Sequence, residues 1–341
     1  MPEALLRVHD LHAWYGESHV LYGVDFEVRA GETVTLLGRN GAGKTTTLKS
    51  IMGMVGRRRG SVTFEGRETI GLVSNRIARF NPGSGEIKEF RVPHAGPALI
   101  HSAVPAPDGS VWFTEAGAKK LGRWDPATEK ITEFQDDWRK HTIRVHPDGS
   151  IWSTGGLTRF DPKTGAYTHI PEVPTSYGIA LDKGGTVWFT EMTRTGAIGK
   201  VDPNTLKVTK YIPPTRDRPR RIQIDADGMI WFCVFDAGKI TRFDPKTETF
   251  KEFALPNAKS KPYALGIATD GMIWYSSEYR DLIGRLDPQT GKVTEYPMPY
   301  TDNGMRDFFL DKAGHIWYGT PPNNRVGYFY LATKQRNADA R

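Results

Sequence analysis

The sequence predicts a mainly β fold, a β-propeller of six to seven blades, preceded by a short α/β segment of different character. Six marker tryptophans recur 40, 36, 43, 43 and 43 residues apart, and such a period is typical of repeat architectures. Most units also contain a glycine turn, an alternating apolar strand with the tryptophan, and an Asp-Pro turn that ends the next strand. Units of three or four short strands stack as propeller blades. The marker tryptophans are Trp112, Trp152, Trp188, Trp231, Trp274 and Trp317.

Composition excludes several classes of protein. The 341 residues are 38% hydrophobic and 11% aromatic, which describes a globular chain. The 36 Gly and 23 Pro favour turn-rich β structure over helices. A single cysteine, Cys233, excludes an internal disulfide. No apolar run is long enough to span a membrane, and Glu3, His9 and Asp10 stand where a signal peptide would be apolar, so a cytoplasmic location is expected.

The charge distribution points to the repeats. Residues 1–75 carry nine basic and eight acidic side chains, so six of the seven net positive charges fall in the rest of the chain. The one dense basic run, Arg57 to Arg59, is followed by Gly60 and fits a solvated turn. We therefore expect no nucleic-acid partner, and we expect the excess charge to matter at the centre of the propeller.

Residues 1–74 break the repeat and contain a phosphate-binding loop, GRNGAGKT at 38–45. The loop follows an apolar strand predicted over Thr33–Leu37 and precedes a helix predicted over Thr45–Met54, which is the context that the motif requires. Backbone N–H groups at the glycines can surround phosphate oxygens, Lys44 can neutralise their charge, and the Thr45 hydroxyl can reach Mg²⁺. The predicted nucleotide-binding residues of this segment are Gly38, Asn40, Gly41, Gly43, Lys44, Thr45 and Thr46.

The stretch LLRVHDLHAWYGESHVLYGVDFEVRAGETVTLLGRNGAGKTTTLKSIMGMVGRRRGSVTFEGRETIGL resembles the opening of ABC transporter ATPases, especially those of branched-chain amino-acid importers. The resemblance implies that Tyr15 stacks on adenine and that ATP is a cofactor. The glutamine loop, the LSGGQ signature, the Asp-Glu pair and the switch histidine of that family do not occur here. Since phosphoryl transfer depends on those parts, we expect weak nucleotide binding and no ATPase activity.

The repeat begins in the middle of a blade. Residues 75–83 and 86–90 align with the third and fourth strands of a later unit, 281–288 and 292–296, whereas the last unit stops after its third strand, 325–331. A seven-bladed ring with a damaged first blade and a six-bladed ring closed by 87–92 both remain open. The predicted domains are 1–74, 75–334 and a polar tail at 335–341. The open blade edge near Arg76–Phe80 predicts self-association.

The repeats also resemble a known family. WFTE at 112–115 and 188–191 and IGRLDP at 283–288 resemble the virginiamycin B lyase (streptogramin lyase) family, over residues 75 to about 330. The resemblance implies a Mg²⁺-dependent carbon–oxygen lyase that opens a cyclic ester. Because propellers host many functions, the site has to be argued separately.

Polar side chains stand eleven residues before every marker tryptophan. Large polar groups at this position in all blades predict a solvated channel mouth that binds a small molecule. Arginines and histidines would make this mouth electropositive, which favours an anionic or carboxylate-bearing ligand. Tyr177, Arg220, Tyr263 and Arg306 are the predicted ligand-binding residues. The full set is His101, His141, Tyr177, Arg220, Tyr263 and Arg306.

Two carboxylates stand three residues after a marker, Glu115 and Glu191, and we predict that they bind a metal ion through oxygen. The resemblance implies that His101 is the catalytic base and that Glu115 binds Mg²⁺, and His141 could meet the developing negative charge. Leu99 stands where the family has a glutamate, and the later blades carry other residues at the matching positions. Three functions therefore remain open: a lyase, a binding propeller without chemistry, and an ATP-binding protein.

Overall fold

The structure, a computed structural model, describes residues 4–15, 17–29, 34, 43–51, 57–64, 67–68, 75–81, 84, 86–94, 98–299, 304–311, 313–320 and 325–331. The chain divides into two compact units, Met1–Ile100 and His101–Arg341. This division falls later than the predicted domain boundary after residue 74, because the hairpin that follows residue 75 groups with the first unit. The domain limits drawn from the sequence stay a prediction.

The first unit contains a four-stranded antiparallel sheet and one helix. Strand β1 (Ala4–Tyr15) pairs with β2 (Ser18–Arg29) on one side and with β3 (Arg57–Phe64) on the other, and β4 (Arg67–Glu68) pairs with β3. A small apolar core includes Val8, Leu11, Ala13, Leu21 and Val62.

The predicted helix is described as α1 (Lys44–Ile51), which shares most of its length with the prediction. The predicted strand Thr33–Leu37, except Val34, lies outside the described residues. A two-stranded hairpin, β5 (Arg76–Phe80) and β6 (Ile87–Arg91), follows in the first unit. It has the antiparallel pairing expected of a third and a fourth blade strand. The choice between six and seven blades stays a prediction.

The second unit consists of consecutive antiparallel sheets, as the tryptophan period predicted. Five described sheets have four strands, and the sixth has three. They are blade 1, β7 (Ile100–Pro105), β8 (Val111–Glu115), β9 (Lys120–Trp124) and β10 (Ile131–Gln135); blade 2, β11 (Ile143–Val145), β12 (Ile151–Ser153), β13 (Thr158–Asp161) and β14 (Ala166–His169); blade 3, β15 (Ser176–Leu181), β16 (Val187–Glu191), β17 (Ile198–Val201) and β18 (Val208–Tyr211). Then follow blade 4, β19 (Pro219–Ile224), β20 (Ile230–Val234), β21 (Lys239–Asp244) and β22 (Thr249–Ala254); blade 5, β23 (Pro262–Ile267), β24 (Ile273–Ser277), β25 (Leu282–Leu286) and β26 (Val293–Pro297); and blade 6, β27 (Phe308–Leu310), β28 (Ile316–Thr320) and β29 (Arg325–Phe329).

The marker tryptophans lie in the second strand of each blade, and Trp188, Trp231 and Trp317 bond to an aspartate in the turn before it. The Trp231 indole N–H donates to Asp225 Oδ2 over 2.7 Å, and the same oxygen type accepts from Trp188 and Trp317 in their own blades. A buried indole N–H needs such a partner. The pairing explains why an aspartate turn precedes so many of the markers.

Hydroxyl groups tie blades 1, 2, 3 and 5 to the blade that follows each of them. Two residues after the marker, the side chain donates to a backbone carbonyl at the start of the following blade. The bonds are Thr114 to His141 O at 2.8 Å, Thr154 to Tyr177 O at 2.6 Å, Thr190 to Arg220 O at 2.8 Å and Ser276 to Met305 O at 2.9 Å. These bonds fix the backbone beside the channel positions. No helix among the described residues is long and apolar enough to cross a membrane.

Candidate functional site

The side chains predicted to line the channel contact one another in the second unit. The rings of His101 and His141 lie 3.6 Å apart, centroid to centroid, and His141 lies 4.2 Å from Tyr177. Tyr177 meets Tyr263 edge to face at 6.1 Å, and their hydroxyl groups are hydrogen-bonded. Blades 1, 2, 3 and 5 therefore each contribute one ring to a continuous aromatic wall.

Arg220, from blade 4, lies against this wall. Its guanidinium carbon is 4.3 Å from the centre of the Phe235 ring, 4.9 Å from Tyr177 and 5.0 Å from Tyr263. Attraction between a cation and aromatic faces stabilises this placement. The Nε atom is buried without a hydrogen-bond partner, and none of the described carboxylates forms an ion pair with Arg220. Arg220 thus brings a positive charge that these residues leave unbalanced.

Arg306, from blade 6, completes the predicted set. Its guanidinium carbon is 5.9 Å from the centre of the Tyr263 ring. Unlike Arg220, it has an acidic partner, since its Nε donates to Glu278 Oε1 over 2.9 Å. All six predicted channel positions therefore meet in one site, and their roles in binding or catalysis stay predictions.

A chain of polar contacts leads away from the histidines. His141 Nδ1 lies 3.0 Å from Thr142 Oγ1, which accepts a hydrogen bond of 2.6 Å from Arg221. Arg221 also pairs with Asp307 at 3.0 Å. Nearby, burial lowers the pKa of the Arg144 guanidinium, and the negative charge of Asp307 offsets part of this effect. Thr142 and Arg144 could not be predicted from the sequence, because neither stands at the repeated offset from the tryptophans.

Both histidines are neutral near pH 7. Burial, followed by the charges of Arg221 and Arg139, lowers the pKa of His101 to about 4. Burial, followed by His101 and Arg221, lowers the pKa of His141 to about 2. The Nδ1 atom of His101 is buried and has no hydrogen-bond partner among the described residues. A neutral ring with an unpartnered nitrogen can exchange a hydrogen bond or a proton with a ligand.

The two carboxylates predicted as metal ligands, Glu115 and Glu191, are not free to bind a metal ion in their present surroundings. Glu115 is fully buried, and burial together with Glu133 raises its pKa to about 8, so it is protonated near pH 7. Lys120 lies 3.1 Å from Glu133, and Glu191 pairs with Lys210 at 2.8 Å. A hard cation needs ionised oxygens without competing ammonium groups.

The part of the chain that the structure describes contains no group of three or more His, Cys, Asp or Glu side chains able to bind a metal. Glu115, which is buried and protonated, and Glu191, which is paired with Lys210, therefore do not fit a Mg²⁺ site. The assignment of Mg²⁺ stays a prediction from the sequence.

The predicted nucleotide-binding residues are described in part. Tyr15 ends β1 and is 46% exposed, which leaves its ring accessible for stacking. Lys44, Thr45 and Thr46 open α1 directly after Gly43. Gly38, Asn40 and Gly41 lie outside the described residues. The geometry of the phosphate loop and its binding of ATP therefore stay predictions.

Together, the consecutive antiparallel sheets define the second unit as a β-propeller. The model of the virginiamycin B lyase family matches residues 166–336, so the chain belongs to the virginiamycin B lyase family. The model of the ABC transporter family matches residues 21–96. Both resemblances predicted from the sequence are confirmed.

Solved structures support the fold. Selenomethionine-substituted virginiamycin B lyase from Staphylococcus aureus matches with a TM-score of 0.69 and 25% identity, over 80% of this chain and 92% of that one. A streptogramin B lyase structure matches with a TM-score of 0.61 and 24% identity, over 70% and 84%. A catalytically inactive histidine-to-alanine variant of the S. aureus enzyme, with quinupristin, matches with a TM-score of 0.62 and 23% identity, over 67% and 80%.

Curated relatives match the first unit. The high-affinity branched-chain amino acid transport ATP-binding protein BraG of Pseudomonas aeruginosa is 41% identical over 75 residues, 22% of this chain and 32% of that protein. The xylose/arabinose import ATP-binding protein XylG of Sulfolobus acidocaldarius is 46% identical over 66 residues, 19% and 26%. The chain thus spans between a fifth and a third of the length of these curated relatives. The expected lack of ATPase activity stays a prediction.

Proposed function

We propose that the second unit binds a small molecule carrying one carboxylate, or forming one during reaction, in the channel mouth. The observation that carries this proposal is the guanidinium of Arg220, which packs on three aromatic rings and has no carboxylate partner among the described residues. Arg220 is half-buried, and a cation withdrawn from water without a counter-ion is costly in a medium of low polarity. A ligand carboxylate would supply the missing charge and could accept two parallel hydrogen bonds.

The charges around Arg220 favour the same kind of ligand. Two described carboxylates, Asp307 and Glu278, already pair with Arg221 and Arg306. The histidines are neutral, so they compensate nothing. The cationic side chains near the histidines and Arg220 that pair with neither of these carboxylates include Arg220, Arg144 and Arg139. The channel therefore holds a net positive charge that attracts an anion.

Family membership suggests the chemical class of the ligand. The S. aureus relative has been solved with quinupristin, and a cyclic ester of that kind is the substrate class that we propose for this chain. When elimination opens such an ester, a base removes a proton from carbon, a C=C bond forms and the C–O bond breaks. The ester oxygen leaves with the electron pair as a carboxylate. Arg220 could stabilise this leaving group and bind the opened product.

Arg220→Ala is expected to weaken binding of a ring-opened, carboxylate-bearing streptogramin by about 10- to 100-fold, since a hydrogen bond to a charged group contributes about 1.5–3 kcal/mol. Isothermal titration calorimetry measures the effect. Arg285→Ala is the matched control, because Arg285 pairs with Asp270 at 2.9 Å away from the channel set. Equal affinity of wild type and Arg220→Ala would contradict the proposal, as would an equal loss in Arg285→Ala.

Ring-opening elimination is a second candidate function, favoured by the unpartnered Nδ1 of His101. A neutral imidazole can accept the proton that leaves carbon, and such general bases contribute about 10²- to 10⁴-fold to a rate. Leu99, which is 43% exposed, supplies no acidic group at the position where the family has a glutamate. In this reaction His101 is therefore the base that accepts the proton, without a step through a metal.

His101→Ala is expected to abolish ring opening of quinupristin while leaving product binding nearly unchanged. Chromatography coupled to mass spectrometry tests this, because elimination gives an isomer of unchanged mass at a new retention time, whereas hydrolysis adds the mass of water. His315→Ala, which changes a histidine in blade 6, is the control. No new peak with wild-type protein would leave binding without chemistry as the function. Equal turnover in His101→Ala would remove His101 from the role of base.

A further inference from the structure

Strand β1 of the first unit contains a bulge at Asp10. The pairing of β1 with β2 shifts register between Val8 and Leu11 and again between Leu11 and His12. Asp10 has a φ of +47°, in the left-handed region that non-glycine residues seldom adopt. On the neighbouring strand, a Cβ at Gly60 would overlap the Asp10 carbonyl oxygen, so a glycine is needed there. Bulges of this kind redirect side chains and often mark functional positions.

The bulge brings the Asp10 carboxylate onto the ring of His12. Asp10 Oδ1 lies 2.9 Å from His12 Nε2, and Asp10 Oδ2 lies 3.2 Å from Arg59. The Asp10 backbone N–H donates to Asp25 Oδ1 over 2.9 Å, which holds the bulge in place. Because a carboxylate accepts hydrogen bonds, His12 carries its proton on Nε2. Its Nδ1 atom therefore presents a lone pair.

A second histidine faces that lone pair from β2. His12 Nδ1 lies 3.0 Å from His19 Nε2. The His19 ring is held by stacking on Trp14, with centroids 4.3 Å apart and planes 9° from parallel, and by Tyr22 at 4.0 Å. The His12 side chain is 19% exposed, so ions from solvent can reach the pair. Two oriented imidazole nitrogens thus meet at the surface of an antiparallel strand pair.

The geometry points to a binding site for a divalent transition metal, with His12 Nδ1 and His19 Nε2 as its protein ligands. Two nitrogens that each bind a metal at roughly 2.1 Å, at a right angle, lie about 3.0 Å apart. Imidazole suits Cu²⁺, Ni²⁺ and Zn²⁺, and Cu²⁺ binds most tightly of these. Metal ligation by histidine is commonly supported by a carboxylate on the other ring nitrogen, as Asp10 supports His12.

Binding requires a change of tautomer at His19 and a small tilt of the two rings. In the free protein, His19 Nε2 donates its proton to His12 Nδ1. On binding, the proton leaves His19 Nε2 for His19 Nδ1 through solvent, and both facing nitrogens then present lone pairs to the metal. Since the described residues provide no group of three His, Cys, Asp or Glu ligands, water completes the coordination. The site is thus open to an exogenous ligand.

The test is a titration of the untagged full chain with Cu²⁺, followed by calorimetry and by electron paramagnetic resonance. We expect one tightly bound equivalent whose spectrum shows coupling to two nitrogens. His12→Ala and His19→Ala should each weaken binding by at least about tenfold. Asp10→Asn should weaken it by about 10- to 100-fold, the usual effect of losing a carboxylate behind a histidine ligand.

His315→Ala is the matched control, because His315 also bonds a carboxylate, Asp311, at 2.9 Å, but stacks on no described histidine. It should leave the bound equivalent unchanged. If His12→Ala or His19→Ala fails to fold by circular dichroism, His12→Gln and His19→Gln replace them. Absence of a bound equivalent in wild type would overturn the proposal. A bound equivalent that survives loss of both histidines would do the same.

Discussion

Replacing Asp136 by alanine is expected to lower the free energy of unfolding by about 3–5 kcal/mol, the usual cost of removing one partner of a buried ion pair. Asp136 forms that pair with Lys140, whose side chain has no exposed surface. Lys140 also lies 4.9 Å from the centre of the Tyr167 ring, and Asp136 Oδ1 accepts from His169 over 2.8 Å. Without Asp136, the ammonium group of Lys140 would be buried without a counter-ion.

Urea unfolding followed by tryptophan fluorescence measures this loss. Asp137→Ala is the control, because Asp137 is the exposed neighbour of Asp136 and forms no ion pair among the described residues. The double change Asp136→Leu with Lys140→Met should recover much of the stability, since apolar groups need no counter-ion. A loss below about 1 kcal/mol in Asp136→Ala, the scale of an exposed pair, would show that Lys140 is solvated.

The second large effect is a dependence on pH, with stability expected to be greatest near pH 6.5. Below that value, the unfolded chain protonates His101 and His141, whose ordinary pKa is 6.5, while burial keeps them neutral in the fold. The unfolded state then binds more protons than the folded state. The free energy of unfolding therefore decreases by about 1.4 kcal/mol for each histidine with every unit by which the pH is lowered. This loss continues down through the folded pKa of His101, about 4.

Glu115 has the opposite sign. Its pKa is raised from 4.5 to about 8 by burial and by Glu133, so between these values the folded state holds a proton that the unfolded state lacks. Its contribution is present in full below pH 4.5 and is lost as the pH rises towards 8. Below pH 6.5, the stability lost through the two histidines as the pH falls is larger than the stability gained through Glu115. Above pH 6.5, the contribution of the histidines is constant, and only the loss through Glu115 remains. Stability therefore declines on both sides.

Urea midpoints between pH 4.5 and 8.5 test this dependence. Glu115→Gln should remove most of the decline above pH 6.5, because glutamine does not titrate. His141→Gln should reduce the slope below pH 6.5 to that of the remaining histidine. The explanation fails if Glu115→Gln retains the wild-type decline at high pH, since another group would then have to carry the proton.

The cluster of contacting side chains at the repeated offset could be predicted from the sequence, because blade repetition puts equivalent positions at equivalent depth. One offset from the tryptophans was enough to find residues as distant as His101 and Arg306. Thr142 and Phe235 were not predicted, because they stand at other offsets from the tryptophans. The protonation of Glu115 depends on its burial and on Glu133, which lies on another strand of blade 1, so the spacing of residues along the chain did not predict it.

The first unit was predicted less completely. The phosphate-loop motif predicted the helix that is described as Lys44–Ile51. The same motif gave no indication that β1 pairs on both sides within an antiparallel sheet, because strand pairing depends on side chains far apart in sequence. Nor could the bulge at Asp10 be predicted, since its register shifts arise from neighbouring strands.

The hydroxyl bonds between blades have a consequence for protein engineering. Each hydroxyl group holds the main-chain carbonyl of a residue in the channel set, and the hydroxyl belongs to the preceding blade. The side chain of the residue in the channel set can therefore be exchanged without removing this hydrogen bond. The positions can therefore be randomised separately to build libraries of altered recognition. At the fifth position the support is a thiol, Cys233, 3.7 Å from the Ala264 carbonyl, and such contacts are weak. In libraries that vary the buried Tyr263, the neighbouring backbone is accordingly the least firmly held.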